Sequence, residues 1–547
     1  MSQMRYDAQK KLMKPMSRLY KYLWGVLPYF YQCQLRRTLR RPVILPATSG
    51  LYHCMVLMVP RALRVAFSQQ SQRKRTEHIA GFTYWAILAL IIMSSCKVGK
   101  EYQRPELELP RQFNNTVSYA DTSSIADIEW KKFFTNPDLQ NLIDKGIRYN
   151  HDLMLAIKRV DIAQARVRQA KVLQLPELSF QLSGQINRPS DNSLNGMSLK
   201  SSLGQSYVEN YQAFIGLSWE ADIWGKIRSQ KESILAEYLQ TYEASKAVQT
   251  QLVANIAQAF YNLLMLDKQL DIARNNLALS DSFVIATRLL KNAGIANALA
   301  VQQAESQRQS TALLIPQLEE SIAIQENALQ ILTGQFPGSV TRTSVTTEFS
   351  TAENFPTGIP TSMVGRRPDV RSNEMRLMAA NAQVGVAQAN LYPTLNITAG
   401  SGLESFKASN WFNIPSSLFG LAAGTIAEPI FRRRELKTQF EIAKLQRDQG
   451  VIQFRQSVLQ AVSEVSNALV QVDKLKQQEE IAIAQVDTLH HAIFNARLLF
   501  KSDLANYLEV ITAQENALQA ELNLASIQRQ QLGAIVELYR ALGGGWK

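Results

Sequence analysis

The chain has few cysteines and histidines, and their positions exclude several kinds of site. All three cysteines, Cys33, Cys54 and Cys96, lie within the first 96 of the 547 residues. A disulfide framework or a CxxC metal site is therefore excluded from the rest of the chain. His490 and His491 are adjacent, so they cannot share a helix face as metal ligands spaced i, i+4 do. No P-loop or nucleophile elbow occurs, and we expect neither enzymatic activity nor a bound metal.

Most of the chain also lacks net charge. The total is +13, but residues 1–96 hold fifteen Lys or Arg and only two acidic residues. The remaining residues carry 44 charges of each sign and no basic stripe. Because nucleic-acid binding requires such a stripe, the sequence excludes nucleic acid as a partner.

Apolar runs of membrane-spanning length are missing as well. The run 80–93 (AGFTYWAILALIIM) follows a basic cluster at 73–75, and it is shorter than the ~20 residues that a spanning helix needs. A basic segment, a short apolar run and the small residues Ser94 and Ser95 are typical of a secretory signal. Because Cys96 follows directly, the segment resembles a bacterial lipoprotein signal, and an uncleaved anchor is the alternative.

We therefore predict that residues 1–95 are a basic leader with a signal peptide, and that Cys96 carries a covalent diacylglycerol and an acyl chain. No other cofactor is expected. Residues 1–72 fit neither a signal nor an anchor. Either translation starts further along the chain, or these residues form a cytoplasmic extension.

The chain does contain an internal repeat. Residues 286–305 (ATRLLKNAGIANALAVQQAE) align without a gap with residues 495–514 (NARLLFKSDLANYLEVITAQ). In each copy a helical run breaks at Gly294 or Asp503 and then resumes, which predicts two helix–turn–helix tips. Such self-similarity indicates a tandem architecture. The predicted divisions are a lipidated tether (96–125), a first repeat (126–333), a linker (334–361) and a second repeat (362–547).

Each repeat also contains two segments in which apolar and polar residues alternate, as in strands. These segments are 177–185, 210–219, 394–399 and, more weakly, 417–427, and a polar loop is expected at 187–206. Strands with one apolar and one polar face suit a membrane barrel with a wet interior, and they suit a soluble two-faced sheet equally well. Four strands cannot close a membrane barrel, and open edges cannot face lipid. A membrane barrel would therefore require several chains to pool their strands.

Helical periodicity continues for more than sixty residues in each repeat, from Ile227 to about Asn292 and from about Ile430 to Phe500. At ~1.5 Å per residue such a helix is about 100 Å long. Ala, Gln, Asn and Ser between the apolar stripes are typical of a coiled-coil rod. The wall of a hydrated tube would have the same composition.

Several motifs resemble one protein family. Ile359-Pro360, RRPDVR (366–371) and AANAQVGVAQANLYP (379–393) are similar to the signature of the outer-membrane factors of resistance-nodulation-division (RND) efflux systems. These are the relatives of TolC, OprM and CusC, including NodT-type lipoproteins. YQRP (102–105), WEADIWG (219–225) and LYRALGGGW (538–546) resemble the family's mature start, strand-to-helix junction and C-terminus. The resemblance covers about 96–547.

The resemblance implies a mainly α fold with membrane β-structure, assembled as a homotrimer. Each chain would give four strands to a shared 12-stranded outer-membrane barrel and long helices to a periplasmic tunnel. The implied partners are a periplasmic adaptor protein, an inner-membrane RND transporter and outer-membrane lipid.

In this family the second tip closes the periplasmic mouth of the tunnel, with paired acidic residues or with a Leu and an Asp. The matching positions are Leu508, Glu509 and Thr512. Leu508 keeps an apolar constriction and Glu509 keeps one carboxylate, whereas Thr512 departs from the double acidic pattern. Three copies of Glu509 around one axis would favour cations. The alternative is that Glu509 merely lies on a solvated helix face.

The resemblance also assigns the two tips to adaptor docking, at Gly294, Ile295, Ala296, Asp503, Leu504 and Ala505. The signature residues Arg366, Arg367, Pro368 and Asp369 are interpreted as a structural, ion-paired helix start.

Together these features predict a passive outer-membrane exit duct for small molecules such as drugs or metal ions. It would be lipid-anchored in the outer membrane of a Gram-negative bacterium and extend into the periplasm. A duct for polypeptide secretion and a periplasmic coiled-coil scaffold without a pore are the alternatives.

Overall fold

The structure is a computed structural model that describes residues 97–110, 124–342, 364–502 and 504–547. The leader with Cys96, much of the predicted linker and Asp503 lie outside these residues.

The first repeat forms four shorter helices, a pair of strands and a long helical hairpin. Its elements are α1 (Trp130–Phe133), α2 (Pro137–Tyr149), α3 (His151–Val172), β1 (Glu177–Asn187), α4 (Leu194–Leu203), β2 (Val208–Ala221), α5 (Lys226–Asn292) and α6 (Ala298–Leu332). The second repeat follows the same plan, with α7 (Pro368–Ala389), β3 (Thr394–Ser405), β4 (Leu418–Ala427), α8 (Glu435–Lys501) and α9 (Tyr507–Ala541). The expected tandem, mainly helical fold is confirmed.

One difference from the sequence expectations concerns the first repeat. The segment expected as a polar loop at 187–206 contains helix α4, which begins where the Ser193 hydroxyl accepts from the Gly196 N–H and ends at left-handed Gly204. Asn150 separates α2 from α3, since it ends the first helix and begins the second. The Asn150 side chain accepts from the Leu153 N–H and donates to the Leu332 carbonyl. It therefore connects the start of α3 to the end of α6.

The four strands form one antiparallel sheet in the order β1-β2-β3-β4. The register pairs Phe180 with Ile215, and Ile215 with Ser401. Directly paired residues share a face, so one face carries Leu178, Phe180, Leu182, Ile186, Ile215, Leu217, Trp219, Leu395, Ile397 and Leu403. The opposite face is largely polar, apart from a stacked Phe214–Phe419 pair at a centroid distance of 5.7 Å.

The apolar face of the sheet is exposed on the chain. The four large apolar side chains of β1 are 63–71% exposed, and Ile426 on β4 is 75% exposed. Both edge strands, β1 and β4, lack a further strand partner among the described residues. A long apolar edge of this kind is an association surface.

The main hydrophobic core forms a belt halfway along the long helices. Phe260, near the midpoint of α5, and Val465, near the midpoint of α8, are 0% exposed, and Tyr539 near the end of α9 is 2% exposed. Tyr539 stacks on Phe133 with ring centroids 4.0 Å apart, and its hydroxyl donates to the Ile128 carbonyl at 2.7 Å. The belt therefore holds both hairpins about thirty residues from their tips.

Among the described residues, no helix is both long enough and apolar enough to cross a membrane.

Candidate functional site

The first tip joins α5 to α6 through a tight, fully hydrogen-bonded turn. Gly294 has a φ of +76°, a left-handed conformation that favours glycine. The N–H of Gly294 donates to the Lys291 carbonyl and the N–H of Ile295 donates to the Leu290 carbonyl, which is a Schellman helix end. Asn297 then caps α6 by accepting from the Ala300 N–H at 2.9 Å.

The second tip is built in the same way. The N–H of Leu504 donates to the Leu499 carbonyl at 2.9 Å, which matches the Ile295 bond of the first tip. Asn506 accepts from the N–H groups of Leu508 and Glu509 and so begins α9. Both tips present apolar side chains to solvent, since Ile295 is 66% and Leu504 is 76% exposed.

The two tips lie side by side and enclose an open cleft of about 1240 Å³. Phe283 of α5 faces Phe500 of α8 with a centroid distance of 5.8 Å. Below these rings, Val284, Ala304 and Ile511 form a small buried cluster against Phe283 and Tyr507. The cleft is lined by residues of both tips, among them Ile295, Ala296, Leu504, Ala505, Arg497 and Glu509. The structure thus brings the predicted docking positions of the two repeats together, with Asp503 outside the described residues.

The predicted gate residues lie at the start of α9, and all of them are exposed. Leu508 is 51% exposed, and Glu509 and Thr512 are also solvent-facing. Leu508 and Thr512 are four residues apart on one helix face. Glu509 lies in the first turn of α9, where the helix dipole favours a carboxylate. Glu509 also lines the cleft, so it belongs to the same site as the tips.

A polar bridge above the tips connects three helices. His490 of α8 contacts Glu521 of α9 at 2.6 Å, and Asn276 of α5 donates to the other oxygen of Glu521 at 3.0 Å. Sequence reasoning missed this bridge, because the three residues are far apart in sequence and only the helix packing register brings them together. Among the described residues, no group of three or more His, Cys, Asp or Glu could hold a metal ion.

The signature residues 366–369 lie at the start of α7 and connect this helix to the belt. Pro368 is the first residue of α7, which suits its fixed φ. Arg367 donates to Asp369 at 2.6 Å, to Glu464 of α8 at 2.8 Å and to the Ala541 carbonyl at 3.0 Å. Arg366 instead pairs with Asp127 at 2.9 Å.

Electrostatics keep this junction charged. Burial raises the pKa of the Asp369 carboxyl, but the hydrogen bonds and positive charge of Arg367 outweigh burial, so its pKa lies below the usual value. Burial lowers the pKa of Arg367, whereas Asp369 and Glu464 raise it by more, so the net shift is upward.

The segment that follows Cys96 is fixed to the boundary between sheet and helices. Lys97 pairs with Glu232 at 2.7 Å, and the Val98 N–H donates to the carbonyl of Trp224, which lies between β2 and α5. The Trp224 indole stacks on Tyr392 and donates to the Pro393 carbonyl, joining the boundary regions of the two repeats. Further along, Arg104 and Tyr102 contact Glu374 of α7.

The fold and the paired tips define an outer-membrane efflux protein. The family model described as "Outer membrane efflux protein" matches residues 142–335 and 359–544, one segment in each repeat. The chain therefore belongs to this family.

The alignments with individual relatives cover most of this chain and nearly the whole of each relative. The chain is 29% identical to the "Cation efflux system protein CusC" of Escherichia coli O6:H1 over 462 residues, or 84% of this chain and 97% of CusC. It is 28% identical to the "Probable outer membrane lipoprotein SilC" of Salmonella typhimurium (84% and 98%). Identity is 30% to the "Solvent efflux pump outer membrane protein SrpC" of Pseudomonas putida (84% and 97%). A crystal structure of CusC, reported with transmembrane channel formation, superposes with a TM-score of 0.74 at 27% identity and covers 82% of this chain and 100% of that one.

Proposed function

We propose that this chain is the outer-membrane exit duct of a tripartite efflux pump and acts as a passive conduit without catalytic activity. The observation that carries the proposal is one continuous architecture: a sheet with an exposed apolar face continues into hairpins about 100 Å long that end in paired tips.

The sheet supports assembly of several copies into a shared membrane barrel. Its edges are open along eleven residues of β1 and ten of β4, which is the length of a membrane-spanning strand. Such edges cannot face lipid. Three copies would supply the twelve strands expected of the homotrimer and pair every edge.

The helices support the same assembly. The outer helices α6 and α8 each expose a row of apolar side chains. These are Leu313, Ile324 and Ile331 on α6, and Leu445, Leu459 and Ile481 on α8. Pairing α6 of one copy with α8 of the next would bury both rows and close the helices into a tunnel.

The anchored N-terminal segment supports lipidation of Cys96. Lys97 lies at the boundary between sheet and helices, which is where the inner surface of the outer membrane would be. A diacylglycerol and an acyl chain on the preceding residue would insert there beside the barrel. A lipoprotein description of the relative SilC fits the same arrangement.

The cargo class follows from the relatives rather than from a binding pocket. CusC is named for cations and SrpC for solvents, so we assign small molecules such as drugs or metal ions. A periplasmic adaptor would dock on the two tips, and an inner-membrane RND transporter would supply the energy. Leu508, Glu509 and Thr512 would form the periplasmic gate.

The test is single-channel recording of the purified protein in planar lipid bilayers. We expect small, cation-preferring steps from the wild type, because three Glu509 carboxylates would surround the narrowest point. Leu508→Ala should enlarge the steps, and Glu509→Gln should reduce the preference for cations.

The first repeat provides a matched control. Leu299 occupies the position of Leu508 in the repeat and is 53% exposed, so Leu299→Ala removes an equally exposed leucine from the other tip. Larger steps in Leu508→Ala but not in Leu299→Ala would support the gate. A correctly assembled trimer that conducts in none of these forms would exclude the duct and favour the scaffold alternative.

A further inference from the structure

The two tips differ in one charge pair. In the first repeat Arg288 donates to both carboxylate oxygens of Glu305, at 3.0 and 2.8 Å, and so ties α5 to α6. The matching residues of the second repeat are Arg497 and Gln514. The second hairpin therefore keeps the arginine but lacks its carboxylate.

Arg497 has no replacement partner in the described part of the chain. No hydrogen bond, ion pair or ring contact of its guanidinium is found there, although the residue is half-buried. Gln514 is 5% exposed, and its Nε2 has no hydrogen-bond partner. Because Gln514 stands where the first repeat has Glu305, both Arg497 and Gln514 keep hydrogen-bond donors that have no acceptor among the described residues.

The guanidinium of Arg497 can be reached by a ligand from two adjoining clefts. Arg497 lines the cleft between the tips and also the adjoining cleft of about 510 Å³ between α5, α8 and α9. Phe283, Phe500 and Leu504 line the larger cleft. A guanidinium that is partly desolvated by apolar walls gains most from an anion that accepts two hydrogen bonds.

The charge balance of the larger cleft points the same way. Among the described residues, Arg497 and Lys501 line it, together with one carboxylate, Glu509. Its volume exceeds the ~300–1,000 Å³ of typical ligand pockets, so a small molecule would fill one part of it.

We propose that the cleft between the tips binds an amphipathic organic anion. Arg497 holds its carboxylate or sulfonate group, and its aromatic or alkyl body lies against the cleft-facing sides of Phe283 and Phe500. This site does not depend on whether the protein conducts.

Binding at this site would couple the two repeats. The ligand would contact α5 of the first hairpin and α8 of the second, so the complete site exists only while the tips lie side by side. A ligand that binds this arrangement shifts the population toward it.

The test compares two fluorescent probes that share an aromatic body and differ in charge. Anilinonaphthalene sulfonate carries the anionic group, and phenylnaphthylamine is neutral. The full-length protein in lipid nanodiscs is titrated with each probe, and the signal of empty nanodiscs is subtracted. We expect Arg497→Gln to weaken sulfonate binding by about 10- to 100-fold, the range for hydrogen bonds to a charged group, and to leave phenylnaphthylamine binding unchanged.

Two further variants separate this site from general effects of charge and folding. Arg288→Gln removes the equivalent arginine of the first repeat, which is already paired, and should leave sulfonate affinity unchanged. Arg497→Lys keeps the positive charge and should retain part of the affinity. The proposal is wrong if Arg497→Gln binds the sulfonate as the wild type does, if it weakens both probes equally, or if Arg288→Gln has the same effect.

Discussion

Replacement of Arg367 should strongly lower the free energy of unfolding of the helical body. Its side chain is 4% exposed and connects the start of α7 to the middle of α8 and the end of α9. Arg367→Met fills a similar volume but removes every donor of the guanidinium.

The size of the effect follows from the partners that remain. Glu464 keeps a second cation, because Arg540 donates to it at 3.0 Å. Asp369 keeps none of its side-chain partners among the described residues, but its side chain is 45% exposed and can be rehydrated. Breaking a buried pair costs about 3–5 kcal/mol, and this partial exposure places the expected loss near the lower end, at about 3 kcal/mol.

The assay is a denaturant titration in detergent followed by far-ultraviolet circular dichroism. Arg434→Met serves as the control, because Arg434 pairs with Glu441 while the two side chains are 70% and 56% exposed, and such pairs contribute about 0–1 kcal/mol. Arg367→Met/Asp369→Asn should recover part of the loss, because no unpaired carboxylate remains. Equal midpoints for Arg367→Met and Arg434→Met would refute the reasoning.

Two smaller effects should accompany this one. The pKa of Asp369 lies below its usual 3.8. The stabilisation that its carboxylate provides is therefore complete above pH 3.8 and is lost as the pH falls through the lower folded-state pKa. The difference in unfolding free energy between wild type and Asp369→Asn should accordingly close below about pH 3.8. Tyr539→Phe leaves the Ile128 carbonyl without its donor and should cost about 1–3 kcal/mol, whereas Tyr149→Phe, at a 54% exposed position, should leave the denaturant midpoint unchanged.

The ends of the long helices show which boundaries a sequence reveals. The first helix was expected from Ile227 and begins at Lys226, directly after Gly225 with a φ of +73°. The second was expected from about Ile430 but begins at Glu435. There the left-handed turn is made by Arg433 and Arg434, with φ of 47° and 66°. Arginine gives no sequence signal for such a turn, so the later start could not be predicted.

Only the two tips of the candidate site could be predicted from the sequence, because the internal repeat shows where they lie. The two tips follow from the aligned breaks in the sequence, because each break interrupts a helical period at the same position. The contacts between the hairpins do not follow, since Phe283 meets Phe500, and Asn276 meets Glu521, through a helix-packing register that no local pattern encodes. Likewise, the alignment of the repeat pairs Arg497 with Arg288, but it does not show that Arg497 has no partner among the described residues.

The tips are joined by far fewer buried side chains than the belt. The belt around Phe260 and Val465 lies more than thirty residues from the tips and does not involve them. Near the tips, the hairpins are held together mainly by the Phe283–Phe500 contact with its small buried cluster and by the Asn276–Glu521 bond. The aromatic pair contributes about 0.5–1.5 kcal/mol and the hydrogen bond to the Glu521 carboxylate about 1.5–3 kcal/mol, and the burial of Val284, Ala304 and Ile511 adds to both. We therefore predict that separating the tips costs less free energy than unfolding the belt, so a partner that prefers separated tips would shift the tips while the belt stays folded.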